Sequence, residues 1–346
     1  MTGRERVRRC IEFDHPDRVP RDLWILPIAE SAYGREAIDA LRQRWPTDFG
    51  AADVPNPALA ALCRGDRHGV GRFVDEWGSV FENVQAGVIG EVKHPPLDDW
   101  SKLDDLRPPV EALNVDADAV NRACRASDRF LFAGFCANTF ERMQYLRGSE
   151  NLFMDLAEEP DECRQLLGRL HDFYCKGLEV WSRTDVDALG IMDDWGSQRS
   201  LLIAPDQWRR LFKPLYREYA RIAHDAGKKL FMHSDGYIFD IYEDLIEIGV
   251  DAINSQLFCM DIETIGKQFA GRISFWGEID RQHILPAGSV AEAHAAVQRV
   301  YDSLYRPAGG VIAQFELGAA AKLENAYAIF ETWDDLTSQP TAAQGQ

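Results

Sequence analysis

The last two thirds of the chain alternate between short apolar runs and longer stretches of helical period. Phe130-Leu131-Phe132-Ala133-Gly134, Asp187–Met192, Lys228–His233, Ala252-Ile253-Asn254, Arg272–Trp276 and Gly310–Phe315 read as strands. Amphipathic stretches lie near 140–158 and 161–183. A helix from Pro205 to Ala226 stops at Gly227, and further helices are expected near 237–248, 290–305 and 323–336. Repeated strand–helix units of this size imply a parallel sheet covered by helices. Two earlier runs, Arg18–Trp24 and Asp48–Val54, bring the strands to eight, the number that closes a (β/α)8 TIM barrel. The expected architecture is therefore α/β, one barrel over 1–338. A hairpin is inserted near 75–97, and a Gln/Ala/Thr/Gly-rich tail at 339–346 is expected to fray. An open doubly wound sheet is the alternative, but no GxGxxG fingerprint follows a first strand.

Charge narrows the partners. A net charge of -18 argues against nucleic acid or an anionic membrane. No apolar run reaches membrane-spanning length, and Met1-Thr2-Gly3-Arg4-Glu5-Arg6 lacks the apolar core of a signal peptide. Seven scattered cysteines without a CxxC fit a reducing compartment, so the expected location is cytoplasmic. Their spacing also excludes a cysteine-only zinc site of familiar form.

In such barrels the chemistry sits at the C-terminal ends of the strands. Read in order, those ends carry Asp22 and Trp24; Asp53 and Asn56; Cys136 and Asn138; and Asp193, Asp194, Trp195 and Gln198. His233 and Asp235 follow, then Asn254 and Gln256, Glu278 and Asp280, and Gln314 and Glu316. The segment His233-Ser234-Asp235-Gly236 is the most pointed. Residues i and i+2 of a strand face the same way, so His233 and Asp235 can converge on one ligand or metal, and Gly236 permits a tight turn. Asp193 and Asp194 are adjacent, so one is expected to face the site and the other to be tied to backbone. A histidine ringed by carboxylates suits a divalent metal on N and O ligands, or acid–base chemistry. His283 ranks second, and the other histidines read as structural or surface residues. Trp24, Trp77, Phe135, Trp195, Phe258 and Trp276 either wall a flat ligand site or seal the barrel against its helices. No Walker loop, zinc-protease helix or Ser-His-Asp context is present.

With those residues in view, the chain resembles the uroporphyrinogen decarboxylase superfamily. The resemblance rests on Arg4-Glu5-Arg6-Val7 with His15-Pro16-Asp17-Arg18-Val19-Pro20, Glu141–Gly148, Met192–Gln198, Phe212–Tyr216, His233–Gly236, Asp244–Asp251 and Phe275–Asp280, in that order. It implies a single barrel with its site on the C-terminal face. True decarboxylases of the superfamily bind a tetrapyrrole through an arginine-rich N-terminal motif. Here that stretch is Arg21-Asp22-Leu23-Trp24-Ile25-Leu26, without the motif, and an acidic protein lacking those arginines pairs badly with a polycarboxylate.

The resemblance is closer to the branch of cobalamin-dependent methyltransferases, whose zinc is held by His-x-Cys and a later Cys and activates a thiol acceptor. In this chain the first motif becomes His233-Ser234-Asp235 and the later Cys falls at Phe315, beside Glu316. The resemblance thus implies zinc or another divalent metal on His233, Asp235, Glu278 and Glu316, a harder site than a thiolate one. Asp193, Asp194, His233 and Asp235 are the expected catalytic groups, and Trp24, Asn138, Trp195, Gln198, Asn254 and Gln256 the expected substrate contacts. The implied reaction moves a methyl group between a small methylated compound, such as a methoxylated aromatic, and a thiol or a corrinoid. The corrinoid would be a cobalamin carried by a partner protein. The alternative is a cobalamin-independent lyase, a carboxy-lyase acting on a small carboxylic acid or tetrapyrrole-like substrate. A non-catalytic binding barrel ranks last, because the mouth keeps its polar residues. The outer helices of such folds also support dimers, so a homodimer stays open.

Overall fold

The computed structural model describes residues 1–337, and the tail read at 339–346 lies outside the described residues. The strands in chain order are β1 (Arg21–Ile25), β2 (Phe49–Ala51), β3 (Gly71–Val74), β4 (Val80–Asn83), β5 (Glu91–His94) and β6 (Phe130–Ala137). They continue as β7 (Ala188–Met192), β8 (Lys229–Ser234), β9 (Ala252–Ser255), β10 (Ser274–Trp276) and β11 (Val311–Leu317). Eight of them pair side by side in the order β1-β11-β10-β9-β8-β7-β6-β2, all parallel, forming the (β/α)8 barrel. Every residue of β8 after Lys229 is buried. A barrel strand is covered on both faces, which is why these segments read as unbroken apolar runs.

The barrel is filled from below. Phe49, Phe130, Ala188, Phe231, Ala252, Trp276 and Ile312 form one interior cluster, with Phe132 packed against it. Phe132, Phe49 and Trp276 stack on one another in a triangle, with Phe132 at centroid distances of 5.8 and 5.3 Å from the other two. The N-terminal helix Gly3–Ile11 contributes Val7, Cys10 and Ile11 to the same cluster, and the Cys10 thiol donates to the Val311 carbonyl at 3.2 Å. That helix therefore covers the N-terminal ends of the strands, leaving the opposite face for chemistry.

The cylinder closes where β1 meets the start of β2. The Asp48 amide donates to the Arg21 carbonyl at 2.9 Å, and the Arg21 amide returns a bond to the Asp48 carboxylate at 2.8 Å. Arg6 and Arg18 reach the same buried carboxylate at 2.5 and 2.8 Å.

Local structure departs from the sequence reading in three places. The stretch 140–158 is two helices, Thr139–Arg147 and Ser149–Glu158, parted at Gly148, whose φ of 81° no helix interior accepts. The helix expected from Pro205 breaks at Phe212 into Pro205–Leu211 and Lys213–Asp225, because Pro214 has no amide to donate across the joint. The inserted hairpin is a three-stranded antiparallel sheet, β3-β4-β5, that begins before 75. No helix among the described residues is long and apolar enough to cross a membrane.

Replacing Asp48 by Ala strips Arg18 of its carboxylate at the seam and leaves Arg6 only Asp17. Urea unfolding should show a loss of about 3–5 kcal/mol, the scale for breaking a buried ion pair. A loss under about 1 kcal/mol, as at an exposed pair, would show that the seam is held by other contacts.

Candidate active site

The segment after β7 sorts its side chains by strict alternation. Asp193 is fully buried and points behind the barrel wall. It accepts the Tyr216 hydroxyl at 2.5 Å and the Glu141 amide at 2.8 Å, so a carboxylate sits at the positive end of the helix Thr139–Arg147. Burial pushes this acid up to about 8, against the hydrogen bonds of Glu141 and Tyr216. Trp195 is also fully buried, stacked on Phe140 at 4.0 Å, and its indole donates to the Tyr216 oxygen at 2.9 Å. Two expectations are thereby corrected. Trp195 is a core residue and not a wall of the substrate site, and Asp193 positions the structure behind that site. Asp194, between them, faces the mouth.

His233 is the penultimate residue of β8, one strand away. Its Nδ1 lies 2.6 Å from Asn254 Oδ1, its register partner on β9. The Asn254 amide is fixed from the other side, because its nitrogen donates to the Trp276 carbonyl and to Gln314 Oε1. The oxygen must then accept from His233, which places the ring proton on Nδ1 and turns Nε2 to the mouth. Asn254 is fully buried, so it orients His233 and does not contact substrate as expected from the sequence. The Trp24 ring lies 5.2 Å from the imidazole, and Trp24 and Trp276 both donate to the buried Asp22 at 3.0 and 2.9 Å. Burial opposes charge on His233, but the hydrogen bond and charge of Asp194, with Asp235 behind, carry it up to about 9.

Two carboxylates meet in front of His233 Nε2. Asp194 Oδ1 is 3.5 Å and Asp235 Oδ1 3.6 Å from His233 Nε2, and the three ligand atoms lie within 4.8 Å of one another. The Asp235 amide donates to Asp194 Oδ1 at 2.9 Å and so holds it in place. Gly236, at φ 79°, makes the turn possible, since a Cβ there would stand 2.1 Å from the Gly196 carbonyl oxygen. Asp235 Oδ1 is buried and has no hydrogen-bond partner among the described residues. An orphaned carboxylate oxygen facing an imidazole nitrogen and a second carboxylate fits a divalent cation on hard N and O donors.

The ligand set expected from sequence needs correction in two members. Glu278 and Glu316 are not part of that triangle, because Arg281 occupies them. Its guanidinium lies 2.8 Å from Glu316 Oε1 and 3.3 Å from Glu278 Oε1, and its third contact is Asp235 Oδ2. The sequence reading passed over Arg281, although the spacing Glu278-Ile279-Asp280-Arg281 puts a lone cation in the most acidic loop of the rim. Asn138 is also spent internally, accepting from Tyr174 at 2.5 Å and donating to Glu141 at 3.0 Å. Gln198 and Gln256 do line an open cleft of about 330 Å³, together with Phe258, Cys259, Arg281 and His283. Cys136 on β6 and Met192 on β7 are both exposed, and the Cys136 sulfur fills the space a side chain on Gly190 would take.

Comparison with known proteins places the fold. The family model described as Uroporphyrinogen decarboxylase (URO-D) matches residues 78–335. No curated protein sequence matches the chain. Among solved structures, a methyltransferase from Methanosarcina mazei is similar at TM-score 0.66 and 15% identity, over 97% of this chain and 99% of that one. A 3-keto-D-glucoside 4-epimerase from E. coli overlaps less well, at TM-score 0.35 and 12% identity over 71% of this chain and 96% of its own. A D-psicose 3-epimerase gives 0.37 and 12% over 68% and 84%.

Glu278 supplies a test of this electrostatic picture. Burial, together with the charges of Asp235 and Glu316, lifts it to about 8 from an ordinary 4.5, against the pull of Arg281. A raised folded value means the fold favours the protonated acid, so this contribution is full below pH 4.5 and is lost as pH rises through 8. Glu278→Gln should therefore flatten the fall in Tm between pH 6 and pH 9. Parallel Tm profiles for variant and parent would contradict the placement of a neutral acid there.

Proposed function

Since the chain belongs to the uroporphyrinogen decarboxylase family, we propose that its mouth is a methyltransferase-type active site built on hard ligands. The reaction moves a methyl group between a small methylated compound, a methoxylated aromatic by preference, and a thiol or a corrinoid carried by a partner protein. The observation that carries this reading is the Asp194–His233–Asp235 triangle with its orphaned Asp235 oxygen. The whole-chain likeness to the Methanosarcina mazei methyltransferase supports it.

His233 Nε2, Asp194 and Asp235 would hold zinc or another divalent ion, which supplies a Lewis acid that polarises the substrate heteroatom. The remaining work falls to the chain. Asn254 keeps a proton on His233 Nδ1, so Nε2 is the nitrogen that would give up its proton and turn its lone pair to a bound metal. Gln198 and Gln256 offer amides, and Phe258 an aromatic wall, for a ring-sized substrate in the adjoining cleft. Cys136 and Met192 present a soft apolar surface against which a methyl group can rest. Carboxylic-acid substrates are poorly served, because Arg281 is already shared among three carboxylates. That weighs against the lyase reading.

Protein purified without added metal should carry about one equivalent of a divalent ion, and His233→Ala should lose it. The loaded protein should demethylate a methoxylated aromatic only when a corrinoid protein or a thiol is supplied. Absence of metal from both proteins, or turnover without any acceptor, would overturn the proposal.

A further inference from the structure

Asp235 divides its carboxylate between two fates. One oxygen, Oδ1, faces His233 Nε2 at 3.6 Å and has no partner, while the other receives the Arg281 guanidinium. We propose that Arg281 is a built-in competitor for the metal site, an internal cation whose hold on Asp235 sets how tightly a divalent ion binds. The inference rests on the metal reading above.

The geometry gives Arg281 somewhere else to go. Three strand ends deliver carboxylates to this one guanidinium: Asp235 after β8, Glu278 after β10 and Glu316 on β11. Glu316 holds it independently of Asp235 at 2.8 Å, so the bond to Asp235 can loosen without leaving the guanidinium unpaired. The group is only 19% exposed, so solvent screens it weakly.

Two effects of opposite sign follow from this contact. As an orienting partner, Arg281 would fix Asp235 for the metal, and its loss would weaken binding. As a charge, it repels a dication sitting on the other oxygen of the same carboxylate, and it draws off the negative charge that makes Asp235 a ligand. Repulsion between a double and a single charge across one carboxylate, in a poorly screened mouth, exceeds the loss of one hydrogen bond. The backbone already fixes the neighbourhood, through the Asp235 amide on Asp194 and the Gly236 turn, so little orientation is left for Arg281 to supply. Competition therefore wins. Glu316 acts the other way, because it draws the guanidinium away from Asp235.

The test is a zinc titration of metal-stripped full-length protein against a chromophoric chelator, at fixed pH and salt, with circular dichroism as the folding control. Arg281→Gln should bind zinc about tenfold more tightly than the parent, on the scale of outer-shell effects at metal sites. Arg281→Lys, which keeps the charge, should stay near the parent. Glu316→Gln should bind more weakly. A purely structural role for these residues would weaken both Arg281→Gln and Glu316→Gln. Equal or weaker binding by Arg281→Gln overturns the inference while leaving the metal reading intact. If Arg281→Gln does not fold, Glu316→Gln decides, since unchanged or tighter binding there also overturns it. No zinc on the parent protein overturns the metal reading, and this inference with it.

Discussion

The arrangement at the mouth depends on a hydrogen bond that lies outside it. The Tyr216 hydroxyl on Asp193, inside the wall between β7 and the helix Lys213–Asp225, decides which way three consecutive residues point. With Asp193 and Trp195 both tied to Tyr216, alternation leaves Asp194 no direction but inward. A buried acid is tolerable there because its oxygens are met by a hydroxyl and by the helix-terminal amide of Glu141. Were Asp193 released, Asp194 would lose its station in front of His233, and the triangle would lose a corner.

From that anchor the site builds outward through neighbouring strands. Parallel register sets His233 against Asn254, and Asn254 is pinned by Gln314 and the Trp276 carbonyl, so the imidazole keeps its Nδ1 proton and a single orientation. Below it, Trp24 and Trp276 are locked onto Asp22, and the aromatic stack of Phe132 and Phe49 fills the barrel. The mouth above holds four carboxylates and two basic groups, with Glu278 kept neutral near pH 7 by burial. This imbalance suits a cation, and the nitrogen and oxygen donors would give one a hard environment.

Much of the scaffold was legible because barrel strands are buried on both faces and therefore announce themselves as apolar runs. The first strand of the insert, Gly71–Val74, fell outside the hairpin read at 75–97, because it is short, opens on a glycine and has its first two residues exposed. The helix breaks at Gly148 and Phe212 were marked by a glycine and a proline that amphipathic periodicity alone does not weigh. In the site, His233 and Asp235 could be read from their i, i+2 spacing, and so could the rule that only one of the paired aspartates faces in. Which one it is depends on Tyr216, more than twenty residues on in sequence. Arg281 was missed for a related reason: a single arginine in a loop has no period, and its meaning comes from the three strand ends that surround it. Trp195 and Asn254 were assigned to substrate because they sit at strand ends, where both a pocket wall and a supporting layer are made from the same residue types.

On the proposed function, a metal at this mouth would rest on a hard imidazole–carboxylate set with no thiolate. X-ray absorption at the zinc edge of the zinc-loaded protein tests it directly. The account predicts a first shell of nitrogen and oxygen at about 2.0–2.2 Å with the outer-shell scattering of one imidazole. A sulfur shell at about 2.3 Å would contradict it, and would place the metal on cysteine instead of on Asp194, His233 and Asp235.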